Sequence, residues 1–274
     1  MNTPHVYAMT LSPEPSLLWI GDAEHRELAD VVTALRGAAR VVECRTMSAA
    51  FELDPADDCA LIVVGETFPG EHLRADYEAL RRRRPATPLV RVYGSLCEGE
   101  LRTNLPAAAI RLPWLRAARE LTDEWRRLLC GECPSWGRPA ASTDEEQLLV
   151  DVPAGSTEPI ALESVGLAVR DPATAAWLHD LLQRRGIRPV RVDLAFAPNS
   201  EPPTSAVIWD QPLDAATTQS ELTLLRRHFS QSPLIVLAEF PRVDVVQQLR
   251  AAGATAVLAK PLAVDELEAT LRAL

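Results

Sequence analysis

Short apolar runs alternate along the chain with longer amphipathic stretches. That alternation marks strand–helix–strand units around a parallel sheet, whose strands are buried on both faces and read as continuous hydrophobic runs. In the first half it predicts strands at Leu17–Gly21, Arg40–Cys44, Ala60–Val64, Pro88–Tyr93 and Ala107–Leu112, with helices at His25–Leu35, Arg74–Arg84 and Leu115–Leu129. In the second half the predicted strands are Val165–Val169, Arg188–Val192, Ala206–Trp209, Leu234–Ala238 and Ala256–Ala259. The predicted helices there are Ala173–Arg185, Ser220–Phe229, Val243–Ala252 and Val264–Leu274. Between the halves, Pro134, Gly137, Pro139, Pro153, Gly155 and Pro159 punctuate a stretch that includes the acidic Asp144, Glu145 and Glu146. We read residues 131–160 as a linker with room for a short strand at Gln147–Val152, which leaves domains at 1–130 and 161–274.

The halves are related by offset. Pro88-Leu89-Val90 matches Pro233-Leu234-Ile235, and Leu80-Arg81-Arg82 matches Leu225-Arg226-Arg227, both displaced by 145 positions. Asp22 matches Asp171 at 149 and Pro113 matches Pro261 at 148. Nearly constant displacement over four landmarks predicts an internal duplication. A chain of 274 residues holds two domains of ordinary size.

Charge and composition narrow the chemistry. The net charge of −10 opposes general nucleic-acid binding, which needs a basic face for phosphates. No apolar run reaches membrane-spanning length, and the first fifteen residues lack a basic, then apolar, leader. Five cysteines, an odd number, fit reduced thiols and a cytoplasmic location better than a disulfide framework.

The last ~110 residues resemble a response-regulator receiver domain. The resemblance rests on Ser232-Pro-Leu-Ile-Val-Leu-Ala238, on the helix ending Leu249-Arg-Ala-Ala-Gly-Ala254, and on Ala256-Val-Leu-Ala-Lys260-Pro261-Leu262. It implies a flavodoxin-like, doubly wound α/β fold in each half: a five-stranded parallel sheet in the order 2-1-3-4-5 with helices on both faces. It also implies an acidic pair after the first strand, an acceptor Asp ending the third, a hydroxyl residue ending the fourth and a Lys ending the fifth. In such a site the carboxylates hold Mg²⁺, which neutralises a phosphoryl group.

In the second half Arg170-Asp171 stands for the acidic pair, Asp210 for the phosphoacceptor, Ala238 for the hydroxyl residue and Lys260 for the lysine. Asp171 and Asp210 would be the Mg²⁺ ligands, at an affinity lowered by Arg170, whose guanidinium repels a cation. Two readings stand: a weakly phosphorylatable receiver, or a relic in which Asp210, Lys260 and Arg170 form a structural ion-pair network. In the first half Gly21-Asp22 holds the acidic place, Gly65 the acceptor's, Tyr93 the hydroxyl's and Leu112-Pro113 that of Lys-Pro. No phosphotransfer is expected there, although Glu66, one residue on, could supply a permanent negative charge. The resemblance further implies a cis peptide bond at Lys260-Pro261 and, with less force, at Leu112-Pro113.

Other motifs say less. Cys130-Gly-Glu-Cys133 follows a helix rather than starting one, where a redox pair would sit, and a zinc site lacks a second pair, though Cys97 could add a ligand. The run Arg81–Arg84 reads as a solvated helix end whose cations complement the helix dipole. The loop Gly94–Asn104 lies at the ligand-binding edge of such a sheet. There is no Gly-rich phosphate loop, no metal spacing among His5, His25, His72, His179 and His228, and no nucleophile elbow. The expected function is therefore non-catalytic signalling or scaffolding through protein contacts, with a histidine kinase or a second copy of the chain as partner. The alternatives are a phosphorylation-competent receiver using Asp210 and a small-molecule binder at the Gly94–Asn104 edge.

Overall fold

The computed structural model describes residues 15–53, 59–97, 110–132, 134, 136, 159–193, 204–211 and 215–274. The chain divides into two compact units, Met1–Ser142 and Thr143–Leu274. Within the stretch read as a linker, Trp136 and Ile160 are buried, and Ile160 belongs to the core of the second unit. The strand proposed at Gln147–Val152 lies outside the described residues.

The first unit runs β1 (Ser16–Ile20), α1 (Ala29–Ala38), β2 (Arg40–Cys44), α2 (Met47–Glu52), β3 (Cys59–Glu66), α3 (Arg74–Arg83), β4 (Leu89–Tyr93), β5 (Ile110–Pro113) and α4 (Trp114–Leu129). Its five strands are all parallel in the order β2-β1-β3-β4-β5. All of β1 is buried, as a central parallel strand requires. Leu18, Ile20, Ile62 and Val64 pack with Met47 and Ala50 of α2 and with Tyr77 and Leu80 of α3. The alternate positions Leu17, Trp19, Leu61 and Val63 take the opposite face. Helices α1 and α4 pack on each other, burying Val32, Leu35, Ala117, Leu121 and Trp125. Each fully buried aliphatic side chain contributes about 1.5–3 kcal/mol.

The second unit runs β6 (Ser164–Ala168), α5 (Pro172–Arg184), β7 (Arg188–Arg191), β8 (Ala206–Asp210), α6 (Ala215–His228), β9 (Leu234–Glu239), α7 (Val243–Ala251), β10 (Ala256–Lys260) and α8 (Val264–Arg272). Its sheet order, β10-β9-β8-β6-β7, is the first unit's order read from the other edge, again all parallel. Leu178 and Leu182 of α5 and Leu267 and Leu271 of α8 pack on Val165, Leu167, Ile208, Ile235, Leu237 and Leu258. Both sheets are therefore the flavodoxin-like 2-1-3-4-5 arrangement expected from the sequence.

The departures from expectation are local. Helix α2 was not anticipated: it is six residues long and rests on Thr46 Oγ1, which accepts from the N–H of Ala49 at 3.1 Å. Helix α1 begins four residues later than predicted because residues 22–28 form turns closed by His25 N on Asp22 O and Leu28 N on His25 O. Helix α6 begins five residues earlier than predicted. The predicted strand Ala107–Leu112 is observed over Ile110–Pro113, its first three residues lying outside the described part. Among the described residues the Lys260–Pro261 bond is cis and the Leu112–Pro113 bond is not. Pro113 instead stands directly before α4, where its fixed φ suits a helix entry.

Candidate functional site

In the second unit the carboxyl ends of β8, β9 and β10 bring together one cation and two carboxylates. Lys260 Nζ lies 2.6 Å from Asp210 Oδ1 and 3.6 Å from Glu239 Oε1. Asp210 is buried and Lys260 about a quarter exposed. Beside them runs a groove of about 330 Å³, lined by Ala173, Thr174, Trp177, Leu237, Lys260, Pro261 and Leu262. Asp171 is the N-cap of α5: its Oδ2 accepts from the Thr174 N–H at 2.8 Å and the Thr174 hydroxyl at 2.6 Å, and Pro172 opens the helix. Those hydrogen bonds hold its carboxyl below the ordinary aspartate value, with the Lys260 charge adding to the effect. Arg170 does not join the Asp210–Lys260 pair. It pairs with Glu221 on α6, whose other oxygen accepts from the Trp209 indole N–H at 3.1 Å. The three-member network of Asp210, Lys260 and Arg170 is thus corrected to two separate clusters.

In the first unit the same edge is closed by the protein itself. Gly21 has φ +135°, and a Cβ there would stand 2.7 Å from the Gly65 carbonyl oxygen. A Cβ on Gly65 would meet Trp19 Cζ2 at 2.7 Å and Leu28 Cδ1 at 2.8 Å. A Cβ on Gly94 would overlap the carboxylate of Glu27. Glu27 is buried and accepts from the Ser95 N–H at 3.1 Å and the Ser95 hydroxyl at 2.6 Å, tying the start of α1 to the chain after β4. Glu66 does not present a charge at this edge. It is fully buried, accepts from the Tyr77 hydroxyl and pairs with Arg91. Burial pushes its carboxyl up from the ordinary glutamate value, against the opposing pull of Tyr77 and Arg91.

No family model and no curated protein matches the chain. Solved structures do. The receiver domain of Francisella response regulator 1452 is 19% identical with a TM-score of 0.36, the match covering 40% of this chain and 94% of that one. The Vibrio cholerae chemotaxis protein CheY4 is 21% identical with a TM-score of 0.35, over 41% of this chain and 98% of that one. A Thermotoga maritima response regulator is 17% identical with a TM-score of 0.33, over 41% and 98%. The chain is similar in fold to response-regulator receiver domains. It carries two five-stranded parallel sheets of that kind.

The two carboxylates expected to hold Mg²⁺ are both engaged by other donors. A hard divalent ion needs several free oxygen ligands. Here one carboxylate, Asp171, caps a helix, and the other, Asp210, faces an ammonium at 2.6 Å. The described residues hold no cluster of three or more His, Cys, Asp or Glu suited to a metal.

Three acidic residues that matter were not singled out from the sequence: Glu239, Glu221 and Glu27. Glu239 follows the place of the hydroxyl residue directly, so the register alone could have found it. Glu221 and Glu27 come from helix-side positions that no strand pattern reveals. Cys97 is buried, its thiol directed at the Glu66 carbonyl, whereas Cys130 is exposed; Cys133 lies outside the described residues. The arginine run is partly engaged: Arg83 donates to the Phe51 carbonyl at 2.5 Å and Arg84 to the Cys59 sulfur at 3.4 Å. Of the loop Gly94–Asn104, only Gly94–Cys97 is described.

Proposed function

We propose that the chain is a regulatory or scaffolding protein that acts through protein contacts of two receiver-like units, without catalysis. The observation that carries this reading is the state of the acceptor position in each unit. In the first, Gly65 has no room for a carboxylate, because Trp19 and Leu28 occupy the space its side chain would need. In the second, Asp210 has lost the acidic partner that Arg170 replaces and is matched by Lys260 instead. No helix among the described residues is long and apolar enough to cross a membrane. Five cysteines, an odd number, suit a reducing compartment such as the cytoplasm. A histidine kinase and a second copy of the chain are the partner classes that suit such units.

The retained Asp210–Lys260 pair is the one observation that favours the rival reading, a receiver that accepts a phosphoryl group on Asp210. The two separate on one experiment. The chain is incubated with acetyl phosphate and Mg²⁺, and its intact mass is followed. The expected result is no hydroxylamine-labile phosphoryl adduct in either the wild type or Asp210→Asn. An adduct present in the wild type and lost in Asp210→Asn would establish the rival. Crosslinking the full chain in its host lysate then identifies the kinase or the second copy.

A further inference from the structure

Of the six tryptophans in the chain, five are buried and one, Trp177 on α5, is 39% exposed. Tryptophan carries the largest apolar area of any side chain, so one left in solvent needs a reason. Trp177 lines the groove of about 330 Å³, a volume at the small end of ligand clefts. Apart from Thr174 and Lys260 the rest of that lining is apolar, with Leu237 from β9 and Pro261 and Leu262 from the chain after β10. A long helical side chain leans over the turn before its own, which sets the indole beside the small residues Ala173 and Thr174.

The electrostatics select the occupant. Lys260, the one cation in the lining, is already matched by Asp210 at 2.6 Å. Arg170, next to Asp171 in the chain, is taken by Glu221. Two further carboxylates adjoin the lining. Asp171 accepts from the Thr174 hydroxyl at 2.6 Å, and Glu239, whose side chain is about half exposed, stands 3.6 Å from Lys260 Nζ. The surplus charge beside the groove is therefore negative, and an exposed indole attracts cations through its π face. An anion would meet two carboxylates, and a neutral apolar molecule would gain nothing from them.

We propose that this groove is a binding site for a small organic cation, its apolar body against Leu237, Pro261 and Leu262 and its ammonium head against Trp177 in the field of Asp171 and Glu239. The site uses neither a metal nor a phosphoryl group, so it stands or falls apart from the reading of the acceptor positions.

The test follows the indole N–H resonances of the full, nitrogen-15-labelled chain while benzyltrimethylammonium is added at constant ionic strength. Trp177→Phe identifies the Trp177 signal by its disappearance. That signal is expected to shift saturably, with a Kd of about 1 mM or below. Phenylacetate and benzyl alcohol, the anionic and neutral counterparts, should bind at least about fivefold more weakly. Trp177→Leu keeps an apolar wall and loses the aromatic face. Read from the backbone N–H of Leu262, it should raise the Kd about fivefold, and Glu239→Gln about twofold. The absence of a saturable shift up to about 10 mM would overturn the site. So would phenylacetate binding as tightly as the cation, or a Kd that Trp177→Leu leaves untouched. The two counterpart ligands act on the wild type, so the test decides even if Trp177→Leu fails to fold.

Discussion

At the carboxyl edge of the first sheet three glycines are closed in, Gly21 by the Gly65 carbonyl, Gly65 by Trp19 and Leu28, and Gly94 by Glu27. At the corresponding edge of the second, Asp210 and Lys260 face each other beside an open groove. The buried charge has moved as well. In the first unit it lies deeper, where Glu66 and Arg91 pair within the sheet face that Tyr77 covers. In the second, Asp210 is buried at a strand end, and Glu268 of α8 is buried against Arg185 and Arg272. One architecture thus accommodates two kinds of carboxyl edge. Small residues let neighbouring side chains fill the space at the strand ends, while a buried carboxylate must keep a cation.

The Glu66–Arg91 pair gives the sharpest way to break this contrast. Arg91→Leu should destabilise the first unit by about 3–5 kcal/mol, because it strands a buried carboxylate, and adding Glu66→Leu should recover much of that. Urea unfolding resolved by peptide-level hydrogen exchange measures both, and a single variant costing under about 1 kcal/mol would show that the pair is not a structural centre. Gly65→Ala is expected to cost about 1–3 kcal/mol through overpacking against Trp19 and Leu28. Asp210→Ala in the second unit should cost only about 1 kcal/mol, because Lys260 keeps Glu239 and water. Equal losses in the same assay would erase the distinction between a filled and an open edge.

Arg170→Ala should change stability by less than about 1 kcal/mol, since its guanidinium is half exposed in the pair with Glu221. A larger loss in the same denaturant assay would mean that Arg170 does belong to the Asp210 site. The smallest effect concerns Asp171. Its folded pKa lies below its unfolded one, so its stabilisation is complete above the unfolded value, near 4. It then fades as the pH falls through the folded value. Asp171→Asn keeps a capping oxygen but no titration, so it should flatten this acid limb of the melting profile; an unchanged limb would assign it to other carboxylates.

Much of the second unit's site could be read in the sequence. Asp210 and Lys260 end strands whose apolar runs are unambiguous, and strand ends in a parallel sheet share one edge. What could not be read was the direction of the long side chains. Arg170 adjoins Asp171 in the chain, yet its guanidinium goes to α6, because Glu221 offers it a carboxylate already fixed by the Trp209 indole. Glu66, one residue past the acceptor place, was expected at most to supply a permanent negative charge there. Strand alternation instead puts it on the face of Ile62 and Val64, under Tyr77.

By itself, then, the sequence determined the layout. Apolar runs at regular intervals, repeated at nearly constant offset, dictated two parallel five-stranded sheets, because the period of burial is a local property of the chain. Only the tertiary structure decided the state of each edge. Whether a missing Cβ leaves a pocket or a filled space depends on neighbours such as Trp19, Leu28 and Glu27, which come from other elements. Whether a carboxylate is a ligand, a helix cap or one half of an ion pair depends on which donor reaches it first, and that is fixed by packing across the fold rather than by spacing along it.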